Sequence, residues 1–432
     1  MPKSRPGRRV AIVAGLRTPF VKSGTVFKDL TAIELGRQVV AELLMRTELA
    51  PAEVDQLVFG AVVPNVQAPN IAREVALLTQ LPKRVDCYSV SRACATSLQA
   101  MTNAADSIAL GEAEVVVAGG AECLSDVPIS YSRPVAQAVV NAAKSKTLID
   151  KLRAFGNVSA KDLLPVPPAI AEYSTGMSMG ESAEKMAKEN GISREAQDAF
   201  AHRSHSKAAK AWADGTFAKE VMRVLVPPKF DNAIAEDNTV RKDSTIEGYA
   251  KLKPVFDRKY GSITAGNSSP LTDGAAALVL MSEEKAKALG MKPLGYLRAY
   301  AYAAVDPNWQ LLQAPAFSVP KVLKRAGMKL ADIDLVEIHE AFAAQVLSNL
   351  QAFASKKFAD EHLGGAAPIG EVPDEKLNPN GGSLSLGHPF GATGARLIHQ
   401  ALRELLARNQ QTALLSICAA GGLGGACILE RE

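Results

Sequence analysis

Two thiols and two imidazoles lie where the chain is built from small or turn-forming residues: Cys94 in SRACATS, Cys418 in SICAAGGLGG, His388 in SLGHPFGATG and His339 in EIHEAFAA. Cys94 and His388 each precede a stretch with helical periodicity. Unpaired amides and the helix dipole favour an anion there, so Cys94 is expected to have a lowered pKa and to react as a thiolate. An imidazole at His388 could take the thiol proton and hold a thiolate–imidazolium pair. Cys418 ends an apolar run and enters a Gly-rich turn whose amides could point at an oxyanion. Plainer readings compete. Free cysteine is among the most buried residue types, and a lone histidine near a turn is more often structural. AAGGLGG lacks the strand-to-helix setting of a dinucleotide fingerprint. Cys427, inside the last apolar run, reads as core, and His202, His205, His362 and His399 read as surface residues. A nucleophilic thiol with an imidazole base and a second proton-transfer group remains the sharper reading.

The elements that would position these groups occur twice. AELLMRTELAPAEVDQLVFG and VPKVLKRAGMKLADIDLVEIH each run from helical periodicity into a short strand. Downstream of Cys94, Leu98, Met101, Ala105 and Ile108 form a helical stripe, Gly111 stops it, and EVVVAGG reads as a buried strand. Downstream of His388, Leu397, Ile398, Ala401, Leu402 and Leu405 repeat the stripe and TALLSICAAGG the strand. A duplicated α/β unit would make the two reactive loops equivalent and face them across a pseudo-twofold axis at the carboxyl ends of strands. Residues 121–250 break the pattern with charged helical segments and read as an insertion. The expected division is an N-terminal half at 1–120, the inserted domain at 121–250, completion of the first half at 251–285 and a C-terminal half at 286–432.

Bulk properties bound the function. A chain of 432 residues, 47% hydrophobic and 22% charged, has material for more than one core. A net charge of +4 suits an acidic small ligand and excludes a nucleic-acid-binding signature. Five cysteines without C-x-x-C spacing fit neither a metal site nor a disulfide framework and point to a reducing compartment. The basic start MPKSRPG lacks the apolar stretch of a secretory signal, and no run approaches the roughly 18 apolar residues of a membrane span. A cytoplasmic protein is expected.

RTPFVKSG, SRACATSLQAM, TAGNSSPLTDGAAA, HEAFAAQ, GGSLSLGHPFGATGAR and CAAGGLGG follow one another in the order and spacing of the thiolases, along essentially the whole chain. The sequence resembles that family, and within it the beta subunits of bacterial-type trifunctional fatty-acid oxidation complexes, through QLLQAPAFSVPKVL and HEAFAAQ. The resemblance implies an α/β thiolase fold, with duplicated βαβαβαββ halves in five α/β/α/β/α layers and a loop domain over the site. It implies cleavage of 3-ketoacyl-CoA by CoA to acetyl-CoA and a shortened acyl-CoA. Cys94 would carry the acyl group, His388 would activate it, and Cys418 would protonate the departing enolate. His339 would hold a water toward the enolate, and the backbone amides of Cys94 and Ala420 would stabilise the tetrahedral intermediate. Met179, Ser269 and Phe342 would line the substrate path. No permanently bound cofactor or metal is implied, with coenzyme A a substrate.

The same resemblance implies a homodimeric core, a complex with an enoyl-CoA hydratase/3-hydroxyacyl-CoA dehydrogenase subunit, contact with a membrane surface and no nucleic-acid partner. Two other functions use the same features: a biosynthetic acetyl-CoA acetyltransferase running the reaction in reverse, and a non-catalytic CoA-binding scaffold subunit, which has no need of all four polar residues. The chain departs from the commoner family pattern in three places. His339 stands where many thiolases have Asn, Ala420 replaces a Gly, and Ser178 stands where short-chain enzymes have His. In the insertion, Leu148, Leu152 and Phe155 at helical spacing, flanked by Lys144, Lys146, Lys151 and Arg153, form an amphipathic face for its own domain, a partner or a membrane.

Overall fold

The computed structural model describes residues 8–166, 168 and 171–432; the basic start of the sequence and the end of the proline-rich stretch before Ala171 fall outside it. Among the described residues twelve strands follow in chain order: β1 Val10–Arg17, β2 Val21–Lys22, β3 Gln56–Gly60, β4 Asp86–Val90, β5 Val115–Glu122, β6 Val224–Leu225, β7 Ala233–Ile234, β8 Thr272–Ser282, β9 Gly295–Ala304, β10 Leu335–Ile338, β11 Thr412–Ala419 and β12 Leu423–Glu430. The main sheet runs β4-β3-β5-β8-β1-β9-β12-β11-β10, with β2 on β8, while β6 and β7 form a separate ribbon.

The order reads almost the same from either end. β3 pairs in parallel with β4 and β5, and β10 pairs in parallel with β11. β8 lies antiparallel between β5 and β1, as β12 does between β11 and β9. The halves meet at β1 and β9 through only two residue pairs, Ala11 with Tyr296 and Ile12 with Gly295. One difference breaks the symmetry: where the first half has strand β4, the second has a single bridge between Val336 and Leu377.

Side-chain alternation along the strands divides the apolar residues into three cores, and these define five layers. Val115, Val117 and Val279 face helices Ala32–Thr47 and Ile71–Leu77 on one outer side. Leu414, Ala426 and Ile428 face helices Pro315–Ala326 and Ala343–Ala354 on the other. Val116, Ala118 and Leu278 of the first half and Ala413, Leu415 and Ile417 of the second share the middle core with helices Thr96–Leu110 and Thr393–Arg408. These are the Cys94 helix and the His388 helix. They cross closely at their starts, because Gly394 lies against the Leu98 backbone, where a Cβ would come within 2.4 Å of the amide nitrogen.

After β5 the chain leaves the sheet for helices Arg133–Lys144, Leu148–Arg153, Met179–Glu189 and Arg194–Ala213, and it returns at β8. The Leu148–Arg153 helix is only six residues long, so Phe155 lies beyond it. Leu148 and Leu152 are 73% and 67% exposed, which removes the reading of this face as packed on its own domain. No helix among the described residues is long and apolar enough to cross a membrane.

Candidate active site

The Cys94 loop leaves the carboxyl end of parallel strand β4, whereas His388 follows the short helix Ser383–Leu386. After β4 the chain turns at Ala93, whose φ of 43° is unusual for a residue with a Cβ, and Cys94 enters the Cys94 helix directly. The hydroxyl of Thr96 closes the turn, accepting from the Arg92 amide and donating to Ala93 O. In the other half, Gly387 at φ 93° delivers His388, which bridges Leu271, and the His388 helix follows. Neither helix has a side-chain cap at its N-cap residue, Ala95 or Ala392. His339 follows β10, held by a hydrogen bond from its amide to Ser416 O. Cys418 is buried near the end of β11.

The structure brings these residues together. Cys94 Sγ and one ring nitrogen each of His339 and His388 lie within 4.8 Å of one another, and the two imidazoles have centroids 4.1 Å apart. Each ring uses Nδ1 on a hydroxyl, Ser383 at 2.9 Å for His339 and Thr393 at 2.7 Å for His388. Each leaves Nε2 without a protein partner. The amides of Ala420 and of Cys94 itself lie close enough to the Cys94 sulfur to favour its charged form. Cys418 is near enough that a charge on Cys94 opposes one on it. Met179 and Phe342 pack in the same apolar cluster as Cys418, and the Ser269 amide donates to Ala341 O.

The electrostatics correct one expectation. Burial pushes the Cys94 thiol up to about 12, against the pull of the two amides and with Glu122 and Glu172 adding to the rise. Burial, then Arg396, pushes His388 down to about 3. Burial holds His339 well below the usual imidazole range, with His388 and Arg396 adding to the effect. Both shifts favour a neutral thiol beside a neutral imidazole over a standing ion pair. Desolvation outweighs the helix dipole here, and proton transfer must accompany attack on a substrate. Burial, then Cys94, also keeps the Cys418 thiol protonated. The same packing overturns the surface reading for two histidines, since His205 and His399 are buried, at 3% and 2% exposure.

Several residues that hold the site carried no local signal in the sequence. Glu122 is buried, and its carboxylate accepts from the amides of Val62, Val63 and Gly391, tying the exit of β3 to the His388 loop. Burial raises it to about 7 against the pull of those amides. Ser97 Oγ accepts from the Ala395 amide and pins one core helix to the other. Glu172, from the insertion, accepts from Gly421 N, so this member of the Gly-rich turn is occupied while Ala420 N faces the thiol. A surface cavity of about 650 Å³ lies elsewhere, among Gly15, Arg46, Glu53, Lys292 and Arg403, and holds none of these groups. Convergence of reactive atoms, not cavity size, marks the site.

Comparison with known proteins agrees with this geometry. The family described as thiolase, N-terminal domain, matches residues 10–284, and thiolase, C-terminal domain, matches residues 291–431. The chain is 56% identical over 428 residues to a 3-ketoacyl-CoA thiolase of Pseudoalteromonas translucida, covering 99% of this chain and 98% of that one. Among solved structures it is similar to an acetyl-CoA acetyltransferase of Bacillus anthracis, with TM-score 0.84 and 34% identity over 99% of this chain and 100% of that one. It is also similar to human mitochondrial 3-ketoacyl-CoA thiolase in complex with CoA, with TM-score 0.83, 30% identity and 98% of each chain covered.

Proposed function

The chain belongs to the thiolase family, and from that premise we propose how it works as an acyltransferase of fatty-acid β-oxidation, cleaving a 3-ketoacyl-CoA with CoA to acetyl-CoA and an acyl-CoA two carbons shorter. Cys94 Sγ attacks the 3-keto carbon as its proton passes to His388. The amides of Cys94 and Ala420 receive the oxyanion, an arrangement in which losing one donor typically costs about 3 kcal/mol of barrier. The C2–C3 bond then breaks. Its electron pair enters the enolate of acetyl-CoA, whose thioester oxygen takes donors from His388, now protonated, and from a water held by His339. Cys418 gives its proton to C2. Its thiolate next takes the proton of incoming CoA, the CoA sulfur displaces Cys94 from the acyl group, and the Cys94 thiol re-forms with the proton from His388.

The observation that carries this reading is the convergence of a thiol and two half-free imidazoles on one point, with a second, protonated thiol beside it. One nucleophile and two proton-transfer groups are what carbon–carbon cleavage with an enolate leaving group requires. Met179, Ser269 and Phe342 are proposed to line the acyl-CoA path, with no cofactor bound permanently. The test is thiolysis kinetics across 3-ketoacyl-CoA chain lengths, with mass-spectrometric detection of the acyl group. A large rate and an adduct on Cys94 are expected; CoA binding without turnover would leave the scaffold reading.

For partners, β4 is an edge strand, which supports pairing with a second copy of the chain. The exposed apolar face around Leu148, Leu152, Leu163 and Leu164 supports docking of a hydratase–dehydrogenase subunit. Its neighbours Lys144, Lys151 and Arg153 suit an anionic membrane surface instead. Co-elution with that subunit against flotation with anionic vesicles separates the two. Five free thiols fit a reducing cytoplasm.

A further inference from the structure

We infer that Ser383 is a positioning residue which, backed by Arg396, fixes the proton of His339 on Nε2, so that the two site histidines present unlike faces: His339 a donor and His388 an acceptor. The functional consequence rests on the thiolase reading above; the proton's position does not.

Arg396 is buried in the His388 helix, and its Nη2 lies 3.0 Å from Ser383 Oγ. A guanidinium can only donate, so Ser383 Oγ accepts there. The single hydrogen of that hydroxyl has one other polar neighbour, His339 Nδ1 at 2.9 Å. A proton on Nδ1 would leave the Ser383 O–H facing nothing in a buried place, a penalty that biases the tautomers by roughly tenfold or more. Nδ1 therefore accepts and Nε2 carries the proton. That is the nitrogen with no protein partner, free to donate to a water or an enolate oxygen.

His388 is set the other way. Its Nδ1 lies 2.7 Å from Thr393 Oγ1, which lies 3.1 Å from Pro389 O, an obligate acceptor. With its hydrogen given to that carbonyl, Thr393 accepts from His388 Nδ1–H. Nε2 is then bare and able to take the Cys94 proton. The relay also bears on metals. Cys94, His339 and His388 have the donor types and spacing of a zinc site, yet a ring nitrogen that holds a proton cannot ligate. Ser383 thus weakens zinc binding at this thiol–imidazole cluster.

Long-range 1H–15N spectra of the full chain labelled with 15N-histidine read the tautomers directly, with six histidines to assign. His339 is expected protonated at Nε2 and His388 at Nδ1; a His339 protonated at Nδ1 overturns the inference, whether or not turnover is found. Ser383→Ala should move the His339 proton toward Nδ1, lower kcat with little change in KM, and sharpen inhibition by zinc chloride about tenfold. Ser383→Thr, which keeps the hydroxyl, should restore all three. Unaltered spectra and zinc sensitivity in Ser383→Ala would reduce Ser383 to packing, and if that variant does not fold the spectrum of the unaltered protein still decides.

Discussion

The Cys94 loop and the His388 loop hold equivalent places in the two halves, yet they solve different problems. Cys94 follows a full strand, turns through a residue at positive φ, and is only partly buried as a residue. His388 follows a segment reduced to one bridge and is buried. What the two share is an uncapped helix start, whereas in the insertion Thr147, Ser178, Ser193 and Thr245 each cap a helix with the side chain. A missing cap costs about 1 kcal/mol. In the His388 helix the first-turn amide of Ala395 is satisfied instead by Ser97 Oγ of the Cys94 helix. The duplication thus preserved the geometry of a helix start aimed at one point and let the residue placed there diverge, a nucleophile in one copy and a base in the other.

If the two loops are unlike in this way, exchanging their chemistry should fail at once. Cys94→Ser should lower thiolysis by at least about 10⁴-fold with an unchanged melting temperature, because a hydroxyl is far too weakly acidic to replace the thiol. Turnover near the normal rate, or an acyl group found elsewhere by mass spectrometry, would remove Cys94 from its role. Cys418→Ala should slow carbon–carbon cleavage by about 10²- to 10⁴-fold while sparing transfer from preformed acyl-Cys94 to water. Normal exchange of the acetyl-CoA methyl protons in this variant would sink the assignment.

The pH profile sharpens the contrast. A base acts when unprotonated, and His388 is held down to about 3, so it stays competent as pH falls below the ordinary imidazole value. kcat/KM at pH 5 should stay close to its neutral value, where an imidazole of ordinary pKa would lose about 30-fold. A limb near pH 6.5 would show that His388 titrates normally. Glu122→Gln removes the carboxylate on which loops of both halves meet, and should cost roughly 1–3 kcal/mol of stability, read as a lower melting temperature, with less than tenfold loss of rate. Smallest of all, Leu148→Glu with Leu152→Glu should leave thiolysis of short substrates nearly unchanged while weakening co-elution with the hydratase–dehydrogenase subunit or binding to anionic vesicles. Full binding in both assays would leave this face without a role.

Much of the framework was legible because it rests on periodicity. The stripes after Cys94 and His388 and the strands that follow them lie where the sequence put them, since an apolar stripe in a middle layer has no alternative but the core. The four candidate residues could be singled out because each lies in or beside a run of small or turn-forming residues, and the fold brings them together. Ionisation was not legible. The sequence shows a thiol at a helix start, but the burial that raises its pKa, against the pull of the Cys94 and Ala420 amides, comes from its folded surroundings, the second half included. His399 shows the same limit, since its helix looks amphipathic in isolation yet is enclosed between the two halves of the main sheet. Ser383 and Arg396 are thirteen residues apart, and only the fold reveals that they share a hydrogen bond.

The shared middle layer has a consequence for inheritance. Each half contributes one helix to that layer and one sheet face on either side of it, while the seam between sheets is two residue pairs long. A gene fragment encoding either half alone would translate into a chain with one whole face of its sheet left wet. Lesions in the two halves therefore cannot be told apart by their outcome: a frameshift after residue 290 and a deletion before it both leave one half of a site and an unburied core.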